Sequence, residues 1–297
     1  MSLLVTFWGV RGSIAKPGTD TRRYGGNTAC VEIKAGDTPF IVDAGTGIDA
    51  LGQALCKNAD GPISIHLFLS HAHWDHIQGF PFFAPAYLPD TEIVVHGPEE
   101  SNKEYVGLLS GQMTSHYFPV DFSQLNAKIS SGSIPENGAR ILDVQVQYLK
   151  QIHPGGSYAY SFEAFGKKVV YATDTEVDAV FKGERCAFDV NADPDSLRPI
   201  PEEFVHFAMG ADLFIVDSQY FDDEYETRVG WGHSRATTVV DWAIKSGVKR
   251  LALFHHDPQH DDDLVDEKVF ICQERAKNLG SQMGVFGARE NLTLRIA

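Results

Sequence analysis

One stretch constrains this chain more than any other. Ser70-His71-Ala72-His73-Trp74-Asp75-His76 follows directly on the apolar run Ile63 to Leu69. The run predicts a strand, which puts the cluster on the loop at its carboxyl end. Imidazole and carboxylate are ligand types for Zn²⁺ and related ions. Alternate residues of an extended loop project to the same side, so His71 and His73 can reach one ion. Asp75 and His76 then turn toward a second point, and the spacing predicts two metals rather than one. Incidental polar surface rarely gathers four such side chains at this density.

Other candidate ligands stand in corresponding places. His153 follows the alternating segment Arg140 to Leu149, read as a single strand. Asp174 follows a strand at Lys168–Ala172, and His255 follows one at Lys249–Phe254. Asp43 follows Phe40-Ile41-Val42, where an aspartate can orient a neighbouring loop or cap a helix. Strand ends on one edge of a layered α/β domain can converge on a single site, so four such exits argue for a centre assembled from distant segments. Two glycine-containing loops, Gly9–Ser13 and Arg22–Thr28, offer Arg11, Ser13, Asn27 and Thr28 as a pocket rim. His96 and His116 lack a partner pattern and read as structural. Residues 77–138 carry little signal beyond a strand at Glu92–Val95 and a helix near Asn102–Leu109. Residues 178–210, rich in proline and acids, read as an irregular excursion. The acidic run Asp261-Asp262-Asp263 lacks the register of a calcium loop and suits a helix start.

Composition narrows the partners. At 297 residues, with no linker or repeat, residues 1–297 are expected to form one domain. The net charge of −15 disfavours long nucleic acid, which is held largely through lysine and arginine contacts to phosphate. A small anion held by metals is compatible with that charge. Four scattered cysteines without a CxxC pair, no apolar run of membrane length and no export signal lead to the expectation of a cytoplasmic protein away from membranes.

The ordered series Asp43, His71-x-His73-x-Asp75-His76, His153, Asp174, His255 resembles the five-motif signature of the metallo-β-lactamase-fold superfamily, over nearly the whole chain. The resemblance implies an αββα sandwich: two mixed sheets face to face, helices outside, metals at one edge. It implies one metal bound by His71, His73 and His153, another by Asp75, His76 and His255, with Asp174 bridging and Asp43 behind the ligands. His255 is preferred to His256 because Leu251-Ala252-Leu253-Phe254-His255 matches the family's strand-plus-histidine, though a one-residue shift would reverse side-chain direction. The class B β-lactamases use a cysteine near Asp174, and the di-iron oxygen reductases a glutamate at His73; this chain has neither. Gly232-His233-Ser234 and the opening Phe7 to Ser13 look like the phosphodiesterase branch, which includes ribonuclease Z and cyclic-nucleotide phosphodiesterase-like proteins. In that branch a histidine matching His233 acts on the scissile phosphate. The excursion at 178–210 lacks the basic, glycine-rich arm with which ribonuclease Z grips tRNA, and many relatives are dimers, so a homodimer is admitted.

The expected function is therefore a hydrolase with two divalent ions, Zn²⁺ before Mn²⁺ or Fe²⁺, acting on a small phosphodiester that is cyclic in some relatives. His233 and Asp75 are the expected catalytic residues. Asp217 and Tyr220 are candidates to hold His233. Arg235 is either a phosphate clamp or a helix-surface salt bridge. Hydrolysis of a lactone or thioester on the same centre, and a non-catalytic, metal-stabilised sensing module, are the alternatives.

Overall fold

The computed structural model describes residues 2–99, 104–181 and 196–297. Its first half alternates strands with short helices: β1 (Leu3–Gly9), β2 (Cys30–Ala35), β3 (Thr38–Val42), α1 (Ile48–Asn58), β4 (Ile63–Phe68), α2 (Trp74–Ile77), β5 (Thr91–Pro98), α3 (Tyr105–Gly111) and β6 (Lys128–Ile134). There follow β7 (Ala139–Ile141), β8 (Val144–Gln151), β9 (Ser157–Ala164), β10 (Lys167–Ala172), α4 (Glu202–Ala208), β11 (Leu213–Asp217), α5 (Asp222–Tyr225), α6 (Ala236–Lys245), β12 (Arg250–Phe254), α7 (Asp262–Asn278), β13 (Gly284–Gly287) and β14 (Thr293–Ile296).

The strands make two seven-stranded sheets, ordered β14-β1-β2-β3-β4-β5-β6 and β13-β12-β11-β10-β9-β8-β7. Each is mixed. β3 through β6 pair in parallel and β14 through β3 antiparallel; β10 through β13 pair in parallel and β7 through β10 antiparallel. The inner faces bury one another. Phe40 and Phe68 of the first sheet meet Phe162 of the second, with ring centroids 6.2 and 5.1 Å apart. Outside, α1 and α3 cover the first sheet through Ile48, Leu51, Ile65 and Leu109. On the second, α4, α6 and α7 are covered through Phe204, Val239, Trp242 and Cys272. This is the αββα sandwich that the motif series implied. No described helix is long and apolar enough to cross a membrane.

Parallel strands with both faces covered are apolar throughout, as in Leu213-Phe214-Ile215-Val216. Their carboxyl ends leave the sandwich at one edge, and Asp43, His71, Asp174, Asp217 and His255 all follow such ends.

Several elements differ from expectation. The stretch 140–149 is a hairpin and not one strand: Leu142 takes φ 54° and turns β7 back on β8. β6 and β9 are full strands where none was expected. Of the excursion at 178–210, residues 202–208 are helical, while 182–195, including Cys186, lie outside the described residues.

Candidate metal centre

The site is built by aiming imidazoles. Asp43, just past β3, is fully buried and takes φ 62°, a left-handed conformation that costs on the order of 1–3 kcal/mol unless its surroundings fix it. They do: its carboxylate accepts from Ser70 N, Ser70 Oγ, Tyr171 Oη and His76 Nδ1, each at 2.8 Å. An acceptor on Nδ1 sets the tautomer and leaves the Nε2 lone pair free for a cation. His153 Nδ1 is likewise held by the Gly232 carbonyl at 2.8 Å, and His255 Nδ1 by Gln219 Oε1 at 3.0 Å. His73 faces inward with its other nitrogen: Nδ1 lies 3.1 Å from His153 Nε2.

The inward atoms fall into overlapping groups that share one carboxylate: two made by the candidate ligands, and a third, Asp174, Asp217, His233 and His255, around His233. His71, His73, His153 and Asp174 bring their ligand atoms within 4.8 Å of one another, and so do Asp75, His76, Asp174 and His255. Asp174 divides itself between them. Its Oδ1 is 3.1 Å from both His76 Nε2 and His255 Nε2, whereas Oδ2 is 3.5 Å from His71 Nε2 and 3.6 Å from His153 Nε2. Asp75 Oδ2 lies 3.2 Å from His76 Nε2 and His255 Nε2 and accepts from Ser13 N at 2.7 Å. His71 Nε2 is buried without a hydrogen bond, and the only partners of His76 Nε2 are the Asp174 and Asp75 carboxylates at 3.1 and 3.2 Å. A buried nitrogen without a partner costs about 1–3 kcal/mol, which a divalent cation at the site would offset. The donor set fits borderline divalent ions.

Electrostatics agrees with that use. Burial holds His71, His73 and His153 below the usual imidazole range, so they are neutral and ready to donate. Burial acts against charge on Asp174 and Asp75, yet the surrounding imidazoles outweigh it and keep both carboxylates ionised. On His76 burial is overcome by Asp174, Asp75 and Asp43, which push its pKa well up while no cation competes for the nitrogen.

His233 leans over both groups. Its ring is stacked on His255 at 5.0 Å and edge-on to His153 at 5.3 Å. Asp217 Oδ2 holds its Nδ1 at 2.6 Å. Burial opposes its charge, but Asp217 prevails and raises the pKa to about 9. Tyr220 meets the His233 ring edge-on at 5.9 Å and gives it no polar contact.

A family model described as a β-lactamase superfamily domain matches residues 38–256. The chain belongs to the β-lactamase superfamily. Among curated proteins it is similar to ribonuclease Z of Haloarcula marismortui, 22% identical over 90% of this chain and 91% of that one. Among solved structures it is similar to the metallo-β-lactamase fold protein YhfI from Bacillus subtilis, at TM-score 0.67 and 19% identity, covering 99% of each chain. It is also similar to the short form of human tRNase Z, at TM-score 0.64 and 16% identity, again over 99% of each.

Within this β-lactamase-superfamily site, several sequence expectations need correction. Arg11 is not on a pocket rim. It is fully buried and spends its guanidinium on the carbonyls of Gly25, Asp257 and His260. Asn27 is tied through its backbone and side-chain nitrogens to Glu290, so it fixes a loop. Arg235 is neither a phosphate clamp nor a surface residue: it is buried against Asp178, with Nη2 to Oδ1 at 2.7 Å. Ser13 does reach the site, through its backbone N–H on Asp75. His256 turns away, with Nε2 on the Ala288 carbonyl at 2.8 Å. His96 pairs with His66 at 2.8 Å inside the sandwich. The acids Asp261 to Asp263 cap α7 and pair with Arg23.

The sequence reading missed Gln219 and Glu176. Glu176 takes the N–H groups of Gly230 and Gly232 and the Tyr225 hydroxyl, and so pins the loop that carries both the His153 acceptor and His233. Its only signal was its place two residues after Asp174.

Proposed function

We propose that the chain is a metal-dependent hydrolase of small phosphodiesters, nucleotides among them. The observation that carries this is the pair of ligand groups joined through Asp174, with the Asp217–His233 pair poised above both. When bound, two divalent cations, Zn²⁺ by the imidazole-rich donor set and otherwise Mn²⁺ or Fe²⁺, supply Lewis acidity and a water acidified toward neutrality. His71, His73 and His153 would hold one ion and Asp75, His76 and His255 the other, each with one oxygen of Asp174. Asp75, fixed by Ser13, offers its other oxygen to the attacking water. His233 donates a proton from Nε2 to the leaving alkoxide, and Asp217 keeps the ring at its angle and balances its charge. Asp43 acts at a distance, by aiming His76.

The name of the curated relatives favours RNA as a second reading, while the charge of −15 favours a small substrate. The reading is tested by elemental analysis followed by turnover of bis(p-nitrophenyl) phosphate, cyclic mono- and dinucleotides, a precursor tRNA, a lactone and a thioester. Cleavage of the lactone or thioester with every phosphodiester untouched would overturn it; binding without turnover by the metal-loaded protein would point to the sensing module. His233→Ala should lower kcat on phosphodiesters about 10²- to 10⁴-fold at wild-type metal content. Full activity in that variant would remove His233 from the mechanism.

A further inference from the structure

Two of the four tryptophans are buried or half-buried: Trp242 is inaccessible, and Trp8 donates to Glu32 at 3.1 Å. The other two, Trp74 and Trp231, are each 61% exposed. Both stand beside the metal centre. Trp74 lies between His73 and Asp75. Trp231 precedes Gly232, whose carbonyl holds His153. The rings of His73 and His153 are 4.9 Å apart, so the two indoles spring from backbone next to neighbouring ligands, one at the start of α2 and the other from the loop before Gly232. Ile14, 59% exposed, follows Ser13 on the Asp75 side.

Single exposed apolar residues are ordinary, but indole is the largest apolar side chain and usually largely buried. Leaving two of them in water beside a ligand cluster forgoes burial that the fold could have used. Arg11 and Arg235 cannot serve a substrate, because they are committed to backbone carbonyls and to Asp178. In a chain of charge −15, uncharged contacts gain weight in holding an anionic nucleotide beside the metals. Aromatic faces supply these, since every nucleobase has a π-face to stack.

We infer that Trp74 and Trp231 are stacking platforms for nucleobases beside the metal centre, which makes the substrate a base-bearing phosphodiester rather than a base-free one. This rests on the phosphodiesterase reading above. The test compares kcat/KM for a dinucleoside monophosphate with that for methyl p-nitrophenyl phosphate, in the metal-loaded protein. Trp74→Ala and Trp231→Ala should each lower that ratio roughly tenfold, mainly through KM. Trp74→Phe and Trp231→Phe should keep it within about twofold, since phenylalanine also stacks. Phe270→Ala, on the far helix α7, should leave it unchanged. In metal-free wild type, the dinucleoside monophosphate should quench tryptophan fluorescence and dimethyl phosphate should not. An unchanged ratio without base-dependent quenching would overturn the inference, as would alanine variants whose only effect is to split a dimer. If wild type cleaves neither diester, the phosphodiesterase reading falls, while the quenching still decides whether the indoles bind bases.

Discussion

A β-carbon at position 232 would lie 2.2 Å from His153 Nδ1, and the residue's φ of 92° belongs to the left-handed region. Gly232→Ala is therefore expected to displace His153 and weaken metal binding about 10- to 100-fold, as loss of an orienting partner does elsewhere. Competition with a chromogenic chelator measures this; wild-type affinity would show that the Gly232 carbonyl does not place the ring. At this scale the ligand candidates were legible because imidazoles and carboxylates at strand ends are chemically marked. Their orienting partners were not. Gln219, Glu176 and the Gly232 carbonyl carry no label in a sequence, since any acceptor could hold an Nδ1 proton. Arg11 and Arg235 misled for a related reason. A guanidinium near a site looks like a phosphate contact until the structure shows that carbonyls and Asp178 have already taken it.

Elements were legible in proportion to how completely they are buried. β11 and β12 read as apolar runs because both faces are covered, and β4 reads through despite Ser64 and His66. β6, Lys-Ile-Ser-Ser-Gly-Ser-Ile, has almost no apolar face and gave no signal. β9 hid its period of two behind Ser157 and Ser161, although Tyr158, Tyr160 and Phe162 all point into the sandwich. Phe162 joins the two sheets through Phe40 and Phe68. Phe162→Ala should cost about 3–5 kcal/mol, seen as a lower denaturant midpoint. A loss under about 1 kcal/mol would mean that the neighbours close over the gap. The hairpin at Leu142 shows the opposite failure: alternation continued through the turn, and only the backbone reveals the reversal.

For the molecule as a whole, the two candidate ligand groups would couple metal binding to stability. Each takes residues from both sheets: His71 to His76 follow β4, while His153, Asp174 and His255 follow strands of the second sheet. A cation bound only by the folded state, at a hundred times its dissociation constant, adds about 2.7 kcal/mol. Chelation should accordingly lower Tm by about 5–10 °C in a chain of this size, and re-addition should restore it. An unchanged Tm in differential scanning calorimetry would mean that the groups hold no cation in the folded protein. The same division between sheets has a consequence for synthesis. On the ribosome, the first group is complete in sequence once β10 has emerged, but the second lacks His255 until β12 follows, and β1 lacks its edge partner until β14, the last strand made. The second group and the edge of the first sheet are thus completed only after β12 and β14 have been made.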